Sequence, residues 1–266
     1  KPLPDDVEAL VIAGPKQPFN DKAKYNIDQF LMKGKSVAFF VDGMVIEAPQ
    51  GMQMPGMDQP KVGRGNDTNL QDLLEKYGLK IRDDIILDKQ NVIGLVPAGG
   101  RMLPTNYPTF VAITEEGFPK DHPLLSKVKA LVTPFPSSVE LVGDLKDGKV
   151  DGVKATPLAR TSKASWRNSG FFLFNPTQQA LAPPASDNDK GPFVLGYAVE
   201  GKLKSAYPNG PNGGSGAPDS HLFRVENGKL RNVTRQYRAI AESRWLWTGG
   251  VVGALAMLLS CPRARS

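Results

Sequence analysis

The sequence predicts an α/β fold, a mostly parallel β-sheet in a three-layer arrangement with helices on its faces. Two observations lead there. The apolar runs at residues 7–13 (VEALVIA) and 36–41 (SVAFFV) flank a segment of helical periodicity, and together they read as a β-α-β unit. Further short apolar runs follow, separated by turn residues, as expected of a chain with 27 Gly and 23 Pro among 266 residues.

Taken in order, residues 7–13 lie between Asp5-Asp6 and Gly14-Pro15 and read as a buried strand. Asn20 is an N-cap for a helix through Met32, whose Ala23, Ile27, Phe30 and Leu31 share one face, and Gly34 ends it. Residues 43–67 read as a loop rich in Met, Gly and Pro. Thr68 or Asn69 caps a short helix to Tyr77, closed by Gly78. Strands are expected at 81–87, 92–96, 110–113, 138–142, 150–158 and 193–199, and a helix after His122. Residues 183–190 read as a surface loop, and 208–218 (PNGPNGGSGAP) as a flexible loop. The predicted organisation is one α/β domain over 1–230 and a C-terminal segment over 231–266.

That last segment has its own character. Residues 233–242 suit a juxtamembrane helix, and 245–260 (WLWTGGVVGALAMLLS) run for 16 residues without a charge. A span needs roughly 17–25 residues, so the length is marginal. Arg244, Trp245 and Trp247 before it, and Arg263 and Arg265 after it, suit a membrane interface. A C-terminal membrane span is therefore expected over 245–260, with a C-terminal core helix as the alternative. At the other end, the chain opens at Lys1 almost directly into an apolar strand, so a further N-terminal part of the domain is expected upstream.

Composition narrows the function. The net charge of +6 is spread along the chain without a basic run, which argues against nucleic acid as a partner. The single cysteine, Cys261, excludes an internal disulfide and a cysteine-built zinc site. The two histidines, His122 and His221, lack partners at ligand spacing and read as turn residues. No phosphate-binding loop and no G-x-S-x-G is present, and the turn after residue 41 is Asp42-Gly43-Met44, without the Cys or Ser of a hydrolase or amidotransferase. No catalytic residue and no cofactor is expected.

Three weaker site candidates remain. Asp42 stands at the carboxyl end of the second strand, where open α/β sheets collect ligands; it either orients a ligand or caps its own turn. Arg101, in the Gly-rich stretch 97–101 (PAGGR), either meets an anion or belongs to a plain turn. Met52, Met54 and Met57 form a thioether cluster of the kind that suits Cu(I), or pack a loop against a surface.

Several blocks then occur in a familiar order. Residues 3–7 (LPDDV) and 10–15 (LVIAGP) come first, then Asp28-Gln29-Phe30-Leu31 with Gly34 and SVAFFVD. Residues 69–78 (NLQDLLEKYG) and 84–88 (DIILD) follow, then Thr161-Ser162 with Ser165-Trp166, and last 191–200 (GPFVLGYAVE). Over about residues 1–200 the chain resembles the bacterial ABC-transporter auxiliary proteins of the gliding-motility-associated type. The resemblance implies a fold akin to glutamine-amidotransferase-like and intraflagellar-transport-type domains. It implies an accessory subunit beside an ABC permease and ATPase, anchored in the inner membrane with its domain on the periplasmic side, and no catalytic residue. An envelope protein is a further possible partner. An amidotransferase-like hydrolase and a purely structural interaction domain are the competing readings. The chain departs from the family after the GPF strand, where 208–218 and a polar segment replace a hydrophobic strand.

Overall fold

The computed structural model describes residues 3, 6–47, 61–98, 100–170, 172–174, 186–210, 222–226, 229–232 and 257–260. The chain begins with β1 (Ala9–Ala13), α1 (Asp21–Met32), β2 (Ser36–Phe40), β3 (Met44–Glu47), β4 (Lys61–Gly65) and α2 (Gln71–Lys76). Then come β5 (Leu79–Ile81), β6 (Asp84–Asp88), β7 (Asn91–Ala98), β8 (Arg101–Thr114), β9 (Ala130–Pro134), β10 (Val139–Leu141) and the one-turn α3 (Gly143–Lys146). The last part holds β11 (Val153–Arg160), β12 (Ser165–Ser169), β13 (Phe172–Phe174), β14 (Val194–Gly201), β15 (Leu222–Glu226), β16 (Lys229–Asn232) and β17 (Met257–Ser260).

The predicted β-α-β unit is present. The Asn20 side chain accepts a hydrogen bond from the Ala23 amide at 2.8 Å, so one of the orphan donors at the start of α1 is satisfied. Gly34, at φ 77°, takes the left-handed conformation that stops the helix. β1 and β2 then pair in parallel, with Leu10 beside Val37 and Ile12 beside Phe39. Both strands bury alternate residues rather than every residue. Leu10, Ile12, Val37 and Phe39 point into one core with Ile27, Phe30 and Leu31 of α1, Leu70 before α2, and Leu73 and Leu74 within it.

The expectation of a mostly parallel sheet is corrected. The central sheet has seven strands in the order β11-β14-β17-β2-β1-β15-β16. Only β1–β2 and β14–β17 pair in parallel, while the other four pairs are antiparallel. A parallel pair needs a long crossover, and among the described residues the only helix of several turns is α1, in the β1–β2 connection. Among the described residues the protein is thus mixed α/β, rich in strands and poor in helix.

Residues 43–67, expected as a loop, contain β3 and β4, which pair antiparallel; β13 adds to the far side of β4. The helix expected after His122 is replaced by turns, with the Leu124 amide donating to His122 Nδ1. The expected span over 245–260 falls largely outside the described residues, as do the helix over 233–242 and residues 211–218 of the Gly-rich loop. Its last four residues are β17, a strand between β14 and β2. Among the described residues no helix is long and apolar enough to cross a membrane.

β6 explains how the smaller sheets stack. All five of its residues are buried. Its alternation sends Ile85 and Leu87 to a core with Met44 and Trp166, and Ile86 to another with Val111, Ile113, Phe118, Ala159 and Leu195. Each end of the strand is an aspartate without solvent access. Asp84 accepts bonds from the amide and hydroxyl of Ser138, and Asp88 from the amide and hydroxyl of Ser162. Buried carboxylates persist only when so satisfied.

Candidate functional site

A cleft of about 820 Å³ opens at the carboxyl end of β2. Four segments line it: the turn at 41–43, the stretch 65–75 running from β4 into α2, residues 80–83 from the end of β5 to the start of β6, and Ser169 at the end of β12. Asn66 ties the first two together. Its side-chain amide donates to the carbonyls of Asp42 at 2.9 Å and Pro15 at 3.2 Å, and its backbone amide donates to the Gly43 carbonyl. Gly43 ties the first to the third. A Cβ at this position would lie 2.2 Å from the Arg82 carbonyl oxygen and 2.7 Å from Ser137 Oγ, so only glycine allows the contact.

The lining is polar and acidic. Asp42, Asp67, Asp72, Glu75 and Asp83 face it, against Lys80 and Arg82. Asp42 pairs with Lys16 at 3.1 Å, and Glu75 with Lys80 at 3.0 Å. The bonds from Lys80 and Gln71 hold the Glu75 carboxyl below its ordinary pKa. Such a surface attracts basic groups and can accept several hydrogen bonds. Among the described lining residues there is no His or Cys.

Behind the cleft, Arg82 approaches Glu140 at 3.7 Å, and Glu140 also bonds Arg167 at 3.2 Å. Arg167 holds Asp189 as well and lies 4.0 Å from Asp84. Burial pushes the Asp84 carboxyl pKa upward, while the Ser138 bonds and the charges of Arg167 and Arg82 pull it only part of the way back.

Of the residues singled out in the sequence, Asp42 lines this cleft. Its carboxylate is engaged by Lys16, and the bonds that hold the turn come from Asn66. Arg101 stands elsewhere, exposed at the tip of the β7–β8 hairpin opposite Ala98. Met52, Met54 and Met57 lie outside the described residues, as do His221 and Cys261. Among the described residues no group of three or more His, Cys, Asp or Glu is placed to hold a metal ion. Sequence reasoning missed Asn66, Lys80 and Arg82. The cue for Asn66 was its position in an Asn-Asp-Thr turn just before a helix.

The quoted sequence blocks converge elsewhere. Thr161 Oγ1 lies 2.7 Å from Ser165 Oγ and accepts from the Phe193 amide at 2.8 Å; the Gly191 amide donates to the Ser165 carbonyl. With the Ser162–Asp88 bonds, the segments DIILD, TSxxSW and GPF form one hydrogen-bonded knot.

Fold and cleft together define a mixed α/β domain with an open, acidic cleft. Over residues 1–233 it matches the family described as "ABC-type uncharacterized transport system", and the chain belongs to this family of ABC transport auxiliary proteins. It is also 33% identical over 202 residues to an uncharacterized protein of Borreliella burgdorferi, a match covering 76% of this chain. The matched part is 37% of that relative's length. No solved structure matches the chain.

Proposed function

We propose that this chain is the non-catalytic extracytoplasmic domain of an auxiliary subunit in a bacterial ABC transport system of the gliding-motility-associated type. It works beside the permease and ATPase, binding a ligand or coupling the transporter to an envelope protein. Family membership supports the transport role. The observation that carries the binding role is the cleft at the carboxyl end of β2, where α/β sheets present their ligands. The turn at its mouth is Asp42-Gly43, so the position that would carry a nucleophile in an amidotransferase-like relative carries a carboxylate. A fold kinship with amidotransferase-like and intraflagellar-transport-type domains rests on the β1-α1-β2 unit alone. Anchorage in the inner membrane, with the domain on the periplasmic side, is supported by the uncharged run at 245–260 and its Arg and Trp flanks.

The test is purification of the tagged full-length protein from its native membranes in mild detergent. An ABC permease and ATPase are expected to co-elute. Recovery from the membranes without either subunit contradicts the proposal. A protease added to intact spheroplasts should cleave the domain; protection until the cells are lysed would place it on the cytoplasmic side.

A further inference from the structure

The β7–β8 hairpin is longer than its sheet requires. β9 pairs with β8 only over Phe110–Thr114, whereas β7 and β8 run on together to Ala98 and Arg101. The base is fixed. The Tyr107 amide donates to Asn91 Oδ1, and the Tyr107, Phe110 and Phe135 rings pack edge to face. Between Asn91 and Ile93 the register shifts, a bulge of the kind that bends a strand pair away from its sheet. Beyond the bulge, six residues of β7 extend for roughly 20 Å.

This arm exposes apolar side chains on both faces. Ile93, Leu95 and Met102 are 68%, 64% and 55% exposed. Leu95 pairs with Pro104 and Ile93 with Asn106, so these residues share one face. Leu103, which is 48% exposed, pairs with Val96 and belongs to the other face. Exposed apolar surface of this extent, on the order of 400 Å², marks an interaction site.

Three features select the partner. Between Asp88 and Glu115 the only charged residues are Lys89 and Arg101, so the arm complements an anionic surface and offers nothing to a basic one. Pro97 and Pro104 fall at alternate ladder positions, where a strand's N–H points away from its neighbour; prolines there block the addition of a further strand from a second copy. Finally, a protein partner covers one face of a ribbon, whereas a lipid interface surrounds both. The remaining open edge groups limit entry to the headgroup region and its boundary with the acyl chains.

We propose that the tip of the β7–β8 hairpin inserts into the interfacial layer of an anionic lipid membrane, with Ile93, Leu95, Met102 and Leu103 at the boundary of headgroups and acyl chains and Arg101 at the phosphates. This contact is separate from the cleft and from the uncharged run at 245–260, and it does not depend on a transport partner.

The experiment uses the full chain with Cys261→Ser and a single environment-sensitive label at Leu103→Cys, or at the exposed Lys154→Cys as control. Vesicles of phosphatidylglycerol and phosphatidylethanolamine should shift the label at 103 to the blue and leave that at 154 unchanged. Arg101→Ala should weaken the response about fivefold, the contribution of one cation at an anionic surface. Leu95→Asp with Leu103→Asp should reduce vesicle co-sedimentation by at least about tenfold relative to Lys154→Asp. These positions are exposed, so the variants keep their fold, which circular dichroism checks. No response at 103, whether or not the chain sediments with vesicles, overturns the proposal. So does a response that appears without lipid and tracks a doubling of mass, which would make a second copy the partner.

Discussion

The carboxylate of Asp28 should hold residues 205–207 onto the two main helices, and its removal is expected to be costly. Asp28 lies in α1 without solvent access. It accepts hydrogen bonds from the Tyr77 hydroxyl, from the Ala206 amide at 2.6 Å and from Ser205 Oγ at 2.7 Å. Asp28→Ala leaves two buried donors, the Tyr77 hydroxyl and the Ala206 amide, without an acceptor. Each such orphan costs about 1–3 kcal/mol, giving a loss of about 2–6 kcal/mol in all. Asp28→Asn keeps one oxygen and should cost about 1–2 kcal/mol. Tyr77→Phe should cost about 1.5–3 kcal/mol, since its bond is to a charged group. The double variant Asp28→Ala, Tyr77→Phe should fall short of the sum by at least about 1 kcal/mol, because both changes delete the same bond. Urea unfolding followed by far-UV circular dichroism measures all four. A loss within about 0.5 kcal/mol for Asp28→Ala, or strict additivity in the double variant, would refute the reasoning.

Burial and the Asp28 carboxylate raise the Tyr77 phenol pKa above its ordinary value. The associated stability is complete below the unfolded tyrosine pKa of about 10 and is lost as pH rises through the folded value, so Tyr77→Phe should be less sensitive to alkali than the parent. Asp84 also has a raised pKa. Its contribution is complete below the ordinary aspartate pKa of about 4 and declines as pH rises through the raised folded value; Asp84→Asn should flatten the stability profile just above pH 4, measured by urea midpoints across that range. Gly43→Ala drives a Cβ against the Arg82 backbone and should cost about 1–3 kcal/mol while shifting the backbone amide resonances of residues 82 and 83; unchanged spectra would contradict the close approach. Asn20→Ala should lower stability by about 1 kcal/mol through loss of the α1 cap, readable as a drop in urea midpoint at constant slope.

Single-residue signals in the sequence held at some helix ends and failed at one: α2 begins after Leu70 with no side-chain cap bond, not at the expected Thr68 or Asn69. Asn20, Gly34 and Gly78 bounded the helices because capping and left-handed turns depend on single side chains. Strand direction was not legible. β15 returns to pair with β1 from more than two hundred residues away, and a short apolar run carries no mark of its partner's sense. β4, with the sequence KVGRG, does not read as a strand at all; it exists because β3 and β13 pair with its two edges, tertiary context overriding propensity. The same logic holds for the cleft. Asp42 was visible because the end of a parallel strand is a known place for ligands. Asn66, Lys80 and Arg82 reach it from other segments, through contacts such as that of Gly43 with Arg82, which only the fold reveals. The TSxxSW block was recognisable as a resemblance, but its purpose, binding Asp88 and Phe193 into one knot, appears only in three dimensions.

The central claim is that the protein serves an ABC transporter without catalysing a reaction itself. The most direct measurement is the ATPase rate of the ABC permease and ATPase that co-purify with it, reconstituted in proteoliposomes with and without the full-length protein. The account predicts that the protein binds the reconstituted complex and changes its ATPase rate, and that Asp42→Lys at the cleft alters the change without abolishing binding. A complex whose rate is the same with and without the protein, and to which the protein does not bind, would contradict it.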